Sequence, residues 1–455
     1  VDHIPLTPNG KTDRKALLAL DPGPAAPAST LDARQAPSTP EEELLAGIFA
    51  EVLGLEKVGI HDDFFELGGH SLLATQVVSR IRSAFGLDVP VRSLFETPTV
   101  AGLARHLAEL RRQHDSEETE PPIVPLPRDG TELPLSFAQQ RLWFLYRLEP
   151  ESTAYNISGA VRLRGTLDTD ALERSFSEIV RRHESLRTTF HELDGRPVQR
   201  IHAPAPFRLP LTDLSALGSD ERDAEVRSRI DDELARPFDL EQGPLFRAEL
   251  LRLADDEHVL ILGMHHIVSD GWSLGVLTRE LGALYTAFKN GEPSPLEDFA
   301  IQYADFAAWQ RSWLEGSVLQ RQLDYWRHKL DGFATLQLPT DRPRPPVQTH
   351  NGDVVALTLE SELTQALGRL SRQESASLFM TLLAAFNVLL SRYSGQDDIV
   401  IGSPIAGRNR SEIEHLIGFF INSLVLRTDL SGEPSFRELL ARVRNVTLDA
   451  YANQD

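Results

Sequence analysis

The sequence predicts two unlike folded units on one chain: a small all-α helix bundle, then a larger α/β unit of two lobes. Three observations carry this. Apolar stripes at helical spacing recur three times within about 75 residues near the N-terminus. Further on, His258-Val259-Leu260-Ile261-Leu262-Gly263 is apolar enough for a strand buried on both faces, and Leu274, Leu277, Leu281, Leu284 and Phe288 follow at helical spacing. Pro-rich and acidic stretches separate the units.

Composition narrows the field. A length of 455 residues suits roughly three domains. With 41% apolar and 25% charged residues the chain is ordinary globular protein. No run of about 18 apolar residues occurs, so no membrane span is expected. The N-terminus, Val-Asp-His-Ile-Pro, lacks the basic-then-apolar layout of a signal peptide, so a cytoplasmic location is expected. Without an initiator Met, the chain reads as a piece of something longer. The absence of cysteine excludes disulfides, thiolate metal sites and a Cys nucleophile, and no metal site is expected. Any thioester chemistry must use a sulfur that a cofactor brings. A formal charge of -21 argues against a nucleic-acid partner.

In chain order, residues 1–20 contain Pro5-Leu6-Thr7-Pro8-Asn9-Gly10-Lys11-Thr12-Asp13-Arg14, with a strong turn signal at Pro8-Asn9-Gly10. The segment resembles the last motif of adenylation domains, in which the lysine at the position of Lys11 contacts carboxylate and phosphate. The rest of such a domain is absent, so this is expected to be its C-terminal remnant. Residues 21–38 are a Pro-rich linker.

Residues 39–112 hold the bundle. Thr39-Pro40-Glu41-Glu42 is a helix start, with Thr39 as cap and Glu42 closing a capping box, and Gly54 is a stop. Leu73, Val77, Ile81 and Phe85 mark a second helix, and Thr99 caps a third. Between the first two lies Asp62-Asp63-Phe64-Phe65-Glu66-Leu67-Gly68-Gly69-His70-Ser71. Ser71 falls at a helix start, where free amides and the positive dipole end favour a phosphate. Gly-Gly-His-Ser alone would also suit a plain helix cap. The whole string resembles the Asp-x-Phe-Phe-x-Leu-Gly-Gly-[His/Asp]-Ser motif of peptidyl carrier proteins. That resemblance implies 4′-phosphopantetheine on Ser71, attached by a phosphopantetheinyl transferase, and supplies the missing thiol. Residues 113–130, acidic and then Pro-rich, form a second linker.

Residues 131–455 are the large unit. Met264-His265-His266-Ile267-Val268-Ser269-Asp270-Gly271-Trp272 sits where the buried strand ends and the helix begins, the place where α/β proteins collect ligands. A neutral imidazole there can take a proton near neutral pH. Asp270 lies too far along a turning chain to be His266's assumed partner, and needs a cation if buried. Gly271 allows a tight turn or a close approach. Leu135 to Leu145 reads as a helix with a core face of Phe137, Leu142 and Leu145. Arg182, His183 and Arg187 read as ion-pair and loop-fixing groups, Phe306 and Trp309 as core. Gly243–Leu250 and Val259–Met264, separated by Asp255-Asp256-Glu257, read as a hairpin. Four prolines between Leu338 and Gln348 suggest a crossing between an N-lobe of about 131–338 and a C-lobe of about 349–455. In the C-lobe, Val354–Leu359 is strand-like, Leu378–Tyr393 a mostly apolar helix and Asp398–Pro404 a buried strand.

His265-His266-Ile267-Val268-Ser269-Asp270-Gly271 resembles the His-His-x-x-x-Asp-Gly signature of condensation domains of non-ribosomal peptide synthetases, relatives of chloramphenicol acetyltransferase. Leu135–Leu145, Arg181–Phe190, Tyr303–Gln310 and Ile417–Arg427 resemble further motifs of that family, in its order. The resemblance implies a two-lobed chloramphenicol acetyltransferase-like fold and amide formation between a donor thioester and an acceptor amine. It implies an upstream adenylation domain and a downstream acceptor carrier as partners. It makes His266 the group that positions or deprotonates the amine, or stabilises the tetrahedral intermediate, with His265 structural. It pairs Asp270 with a C-lobe arginine, best matched by Arg408, and gives Gly271 the task of leaving room. Asn453-Gln454-Asp455 resembles the start of the sixth motif, usually His-Gln-Asp, so the domain reads as cut short. An epimerising relative and a non-catalytic carrier-docking module are the alternatives, the latter disfavoured by two intact histidines.

Overall fold

The structure is a computed structural model and describes residues 37, 39–87, 89–113, 120–130, 132–346, 352 and 354–455. The adenylation-like segment with Lys11, and the first linker except Pro37, lie outside the described residues.

The bundle forms as its local signals dictate. Helix α1 (Pro40–Leu53) opens on Pro40, with the Thr39 hydroxyl accepting from the Glu42 amide at 3.1 Å, and closes on Gly54 in the left-handed conformation, φ 66°. Helix α2 (Ser71–Phe85) follows the Gly-Gly loop and is capped by His70. A short helix not foreseen from the stripes, α3 (Val91–Glu96), precedes α4 (Val100–Gln113), which the Thr99 hydroxyl caps through the Gly102 amide at 3.1 Å. Leu45, Phe49, Phe64, Val77, Ile81, Leu94 and Leu103 are fully buried between them. Phe64 explains the glycine after it: a Cβ on Gly69 would lie 2.3 Å from the Phe64 ring.

The N-lobe runs β1 (Leu133–Pro134), α5 (Phe137–Leu148), β2 (Asn156–Arg164), α6 (Thr169–Arg182), β3 (Thr188–Leu193), β4 (Arg196–Ile201), β5 (Leu211–Asp213), α7 (Ser219–Ala235), β6 (Phe246–Ala254), β7 (Glu257–His265), α8 (Gly271–Lys289), α9 (Tyr303–Trp313) and α10 (Gly316–Leu330). Its strands make a four-stranded sheet, β2-β7-β6-β5, and a three-stranded one, β1-β4-β3. The expected hairpin is β6–β7, antiparallel with Leu250 opposite Leu260. Strand β7 is buried over most of its length, as its apolar run requires.

The C-lobe holds α11 (Ser361–Gln373), α12 (Leu378–Ser394), β8 (Asp398–Ile405), β9 (Asn422–Asp429) and α13 (Phe436–Tyr451). Strands β8 and β9 pair only with each other among the described residues. The chain between them crosses to the N-lobe: Ile417 and Phe419 join the core of Met264, Ile267 and Val276, while Ile413, Leu416 and Phe420 pack with Ile301, Tyr303 and Phe306.

Three expectations change. Phe137 is 42% exposed, with the Arg311 guanidinium 4.7 Å from its ring centroid, because the buried face of α5 turns toward Gln139, Leu142 and Trp143 instead. Residues 354–359 form no strand, and Val355 and Leu357 stand exposed: β-branched residues need a neighbouring strand to pair with, and none lies beside them among the described residues. Strand β8 is only half-buried, since one face of a two-stranded sheet is left open. The proline segment is irregular to Pro346, and residues 347–351 lie outside the described ones. No single helix among the described residues is long and apolar enough to cross a membrane.

Candidate active site

Strand β7 delivers the two histidines. The His265 amide donates to the Leu245 carbonyl at 3.1 Å, and the His266 amide to the Tyr155 carbonyl at 2.8 Å, so both neighbouring segments fix the strand end. The side chains then part. His266 Nδ1 lies 3.0 Å from the Ser269 carbonyl, which can only accept. The proton is therefore on Nδ1, and Nε2 carries a bare lone pair. Burial lowers the His266 pKa, against the opposing pull of the Ser269 carbonyl and the Asp270 charge. The residue is partly exposed, and its ring meets Phe419 edge-to-face at 5.3 Å. His265 is buried instead, accepts from the Ile267 amide at 3.1 Å and stands edge-on to Phe238. Burial, then the neighbouring His266, pushes its pKa down to about 3, so it is neutral at working pH.

Asp270 caps helix α8 and is wholly buried. Its Oδ1 accepts from the Ser273 amide and hydroxyl, both at 2.8 Å, and from Arg408 Nη2 at 3.2 Å; Oδ2 accepts from the Phe420 amide at 3.1 Å. Arg408, 3% exposed, is the C-lobe cation that Asp270 needs. Its Nη1 also donates to the Ile413 and Leu416 carbonyls at 2.7 Å, and its guanidinium lies 4.1 Å from the Phe420 ring centroid. Gly271 is an ordinary helical residue, and a Cβ there would meet nothing within 4 Å; its backbone needs no tight turn, and what it leaves is open space.

Several partners were not singled out from the sequence. The Ser273 hydroxyl joins Asp270, Arg408 and the Gly418 backbone, and only its place three residues after Asp270 hints at a capping role. Gly407 has φ 61°, and a Cβ on it would lie 2.0 Å from the Phe420 carbonyl oxygen. The Tyr303 hydroxyl donates to the Phe419 carbonyl at 2.5 Å. Below the crossing segment, His183 accepts from the Ile417 amide at 3.2 Å and meets Glu280 at 3.0 Å, while Arg182 grips the same carboxylate with two nitrogens at 3.2 Å. Arg182 thus fixes the loop by ion pairing with Glu280, and His183 by hydrogen bonds. Tyr303, Phe306 and Trp309 build the core against Phe420.

Ser71 is the first residue of α2, and its Oγ is buried beside the Tyr451 hydroxyl. It borders a cleft of about 420 Å³ lined by Ser377, Phe379, Ser403, Gly407, Arg408 and Tyr451 among others. Burial raises the Tyr451 pKa, keeping its hydroxyl neutral. A serine hydroxyl at a helix N-terminus, bordering a cleft that reaches the partner of Asp270, fits a covalently attached phosphate ester with a long arm.

The phosphopantetheine attachment-site family matches residues 43–107, and the condensation-domain family matches residues 130–455. A linear gramicidin synthase polypeptide of Brevibacillus parabrevis is 56% identical over 456 residues, covering 100% of this chain but 6% of its own length. The dimodular nonribosomal peptide synthase of Bacillus subtilis (strain 168) is 47% identical, with 19% of its length covered. The chain thus spans a small fraction of these relatives. Among solved structures, the X-domain from teicoplanin biosynthesis aligns at TM-score 0.67 and 32% identity over 73% of each chain. The first condensation domain of the calcium-dependent antibiotic synthetase aligns at TM-score 0.59 and 27% identity, over 71% of this chain and 75% of that one. With a carrier that takes 4′-phosphopantetheine on a serine ahead of a two-lobed α/β unit, the chain belongs to the condensation-domain family of non-ribosomal peptide synthetases.

Proposed function

We propose that this chain joins an acyl group carried on Ser71 to the amine of an acceptor, with His266 as the group that receives the amine's proton. The observation that carries this reading is the His266–Ser269 contact, which puts the proton on Nδ1 and leaves Nε2 bare on a partly exposed residue. The pantetheine arm supplies the thiol on which the donor acyl group rides as a thioester.

The chemistry balances between the two substrates. The acceptor nitrogen forms a bond to the donor carbonyl carbon, the carbon–sulfur bond breaks, and the amine proton passes through Nε2 to the departing sulfur. A lowered His266 pKa keeps Nε2 free near neutral pH. His265, buried and neutral, serves the strand end rather than the reaction. Asp270 and Arg408 hold the loop that orients His266 and join the lobes, and the space beside Gly271 admits the reacting groups. Holding donor and acceptor in one joint removes much of the entropic barrier. Because Ser71 precedes the condensation unit, its carrier is the donor. An upstream adenylation domain loads it, a downstream carrier brings the acceptor, a phosphopantetheinyl transferase primes Ser71, and the work takes place in the cytoplasm.

Two variants test this in the intact chain, with mass spectrometry of the carrier and of the product. Ser71→Ala is expected to abolish the mass gain given by a phosphopantetheinyl transferase; unchanged loading refutes the attachment site. His266→Ala is expected to leave loading intact and slow amide formation by about 10²–10⁴-fold. Full turnover would remove His266 from the reaction.

A further inference from the structure

The carrier touches the condensation unit at a turn that the signature loop itself braces. Arg80, on α2 nine residues after Ser71, places Nη1 and Nη2 3.1 and 3.2 Å from the two carboxylate oxygens of Glu414. This forked geometry is directional, unlike a loose surface pair. The Glu414 side chain is 4% exposed in this arrangement, and that of Arg80 19%. One turn further along α2, the Ser83 hydroxyl lies 3.2 Å from that of Ser411. Arg80 Nε also holds Glu51 of its own carrier at 3.2 Å, on a side chain 67% exposed.

The turn carrying Ser411 and Glu414 is pinned from the other side. Trp272, next to Gly271, donates its indole N–H to the Glu414 carbonyl at 2.8 Å. Arg408 holds the carbonyls on either side, of Ile413 and Leu416, with the same guanidinium that meets Asp270. Glu414 is therefore an acid presented outward on a turn whose backbone is fixed by the His-His-x-x-x-Asp-Gly loop and its arginine. A carrier that leaves exposes that carboxylate to water, while its own Arg80 keeps Glu51.

We propose that Glu414 is the docking residue through which the condensation unit recognises the donor carrier, with Arg80 as its counterpart and the Ser83–Ser411 contact setting the register of α2. The partner it fits is a carrier helix with an arginine nine residues beyond its modified serine. This rests on the donor assignment above but is read out separately from turnover.

The absence of cysteine makes the test clean. In the intact chain, Ser83→Cys with Ser411→Cys is oxidised with diamide and the cross-link is followed by mass and gel mobility. A cross-link is expected in this background. Arg80→Glu should slow its formation about tenfold, Arg80→Gln by less, and Arg80→Glu with Glu414→Arg should restore much of the rate, as coupled charge pairs do. Priming of Ser71 by phosphopantetheinyl transferase checks in each case that the carrier is folded. No cross-link in the starting background, an undiminished rate with Arg80→Glu, or no recovery in the double exchange overturns the proposal. Cross-linking that follows the charge pattern in a chain that forms no amide would instead count against the reaction while leaving the docking pair standing.

Discussion

The two joints of this molecule are built from the same pair of chemical groups, an arginine and a carboxylate, yet in opposite ways. Where the lobes meet, Asp270 and Arg408 have side chains 1% and 0% exposed, and backbone amides, carbonyls and the Ser273 hydroxyl meet both. Where the carrier meets the C-lobe, Arg80–Glu414 is covered while the carrier is seated, with side chains 19% and 4% exposed, and Arg92–Asp449 is more open, with side chains 37% and 47% exposed. A buried pair is hard to break, because either charge left alone in the interior is costly. Exposed pairs come apart cheaply, since water replaces each partner. On the function proposed above, the first arrangement suits a joint that holds His266 still, and the second a carrier that moves away to be loaded.

The largest effect should follow from breaking the lobe joint. Asp270→Ala strands Arg408 and the Phe420 amide in a dry interior, and should cost about 3–5 kcal/mol of stability. Denaturant unfolding of the intact chain measures this, and a loss under about 1 kcal/mol would mean the joint relaxes freely and the comparison fails. Next comes Gly407→Ala. The left-handed backbone alone disfavours a side chain by about 1–2 kcal/mol, and the new Cβ would strike the Phe420 carbonyl, so roughly 2–3 kcal/mol is expected. That loss should appear in thermal unfolding without any change in the priming of Ser71.

These residues also mark how far the sequence could be read. The His265–Gly271 motif, the Ser71 loop and the capped helices were legible because each is written within a dozen residues, where spacing and caps report local geometry. Arg408 was reachable only by resemblance, since 138 residues separate it from Asp270. Gly407, Ser273 and Glu280 stayed hidden because their reasons are contacts: a carbonyl facing a missing Cβ, a hydroxyl among four partners, a carboxylate under His183. Val354–Leu359 failed for the same cause in reverse, because β-propensity states what would suit a sheet, not whether a neighbour is there. Phe137 went astray because a helical stripe fixes spacing but not which edge of the stripe faces the core.

A pH titration sharpens the contrast at intermediate size. Burial lowers the pKa of His183, under the crossing segment, below its ordinary 6.5, with Glu280 opposing. A buried histidine with a lowered folded pKa stays neutral while the unfolded chain takes up a proton, so stability is full above pH 6.5 and falls as the pH drops. Each such group contributes a slope of about 1.4 kcal/mol per pH unit. For His265 the window runs from 6.5 down to about 3. His183→Gln should flatten the slope by one proton's worth, and an unchanged slope would mean His183 is already charged in the folded chain.

The smallest effect belongs to the outermost pair. Arg92 Nη2 lies 2.8 Å from Asp449 Oδ1, but both side chains keep more than a third of their surface in water, where salt screens the pair. Arg92→Ala should therefore change unfolding stability by less than about 0.5 kcal/mol. It should also leave trapping of the Ser83–Ser411 contact nearly as fast as in the parent chain. That second outcome matters most for the comparison of the joints. If Arg92→Ala slowed trapping as much as Arg80→Glu, recognition of the carrier would reside in a broad field of charge, and the forked contact with Glu414 would be only its best-ordered member. If only the change at Arg80 is felt, the carrier joint is specific through a single sheltered pair while its rim stays weak, which lets one surface be both selective and quick to release.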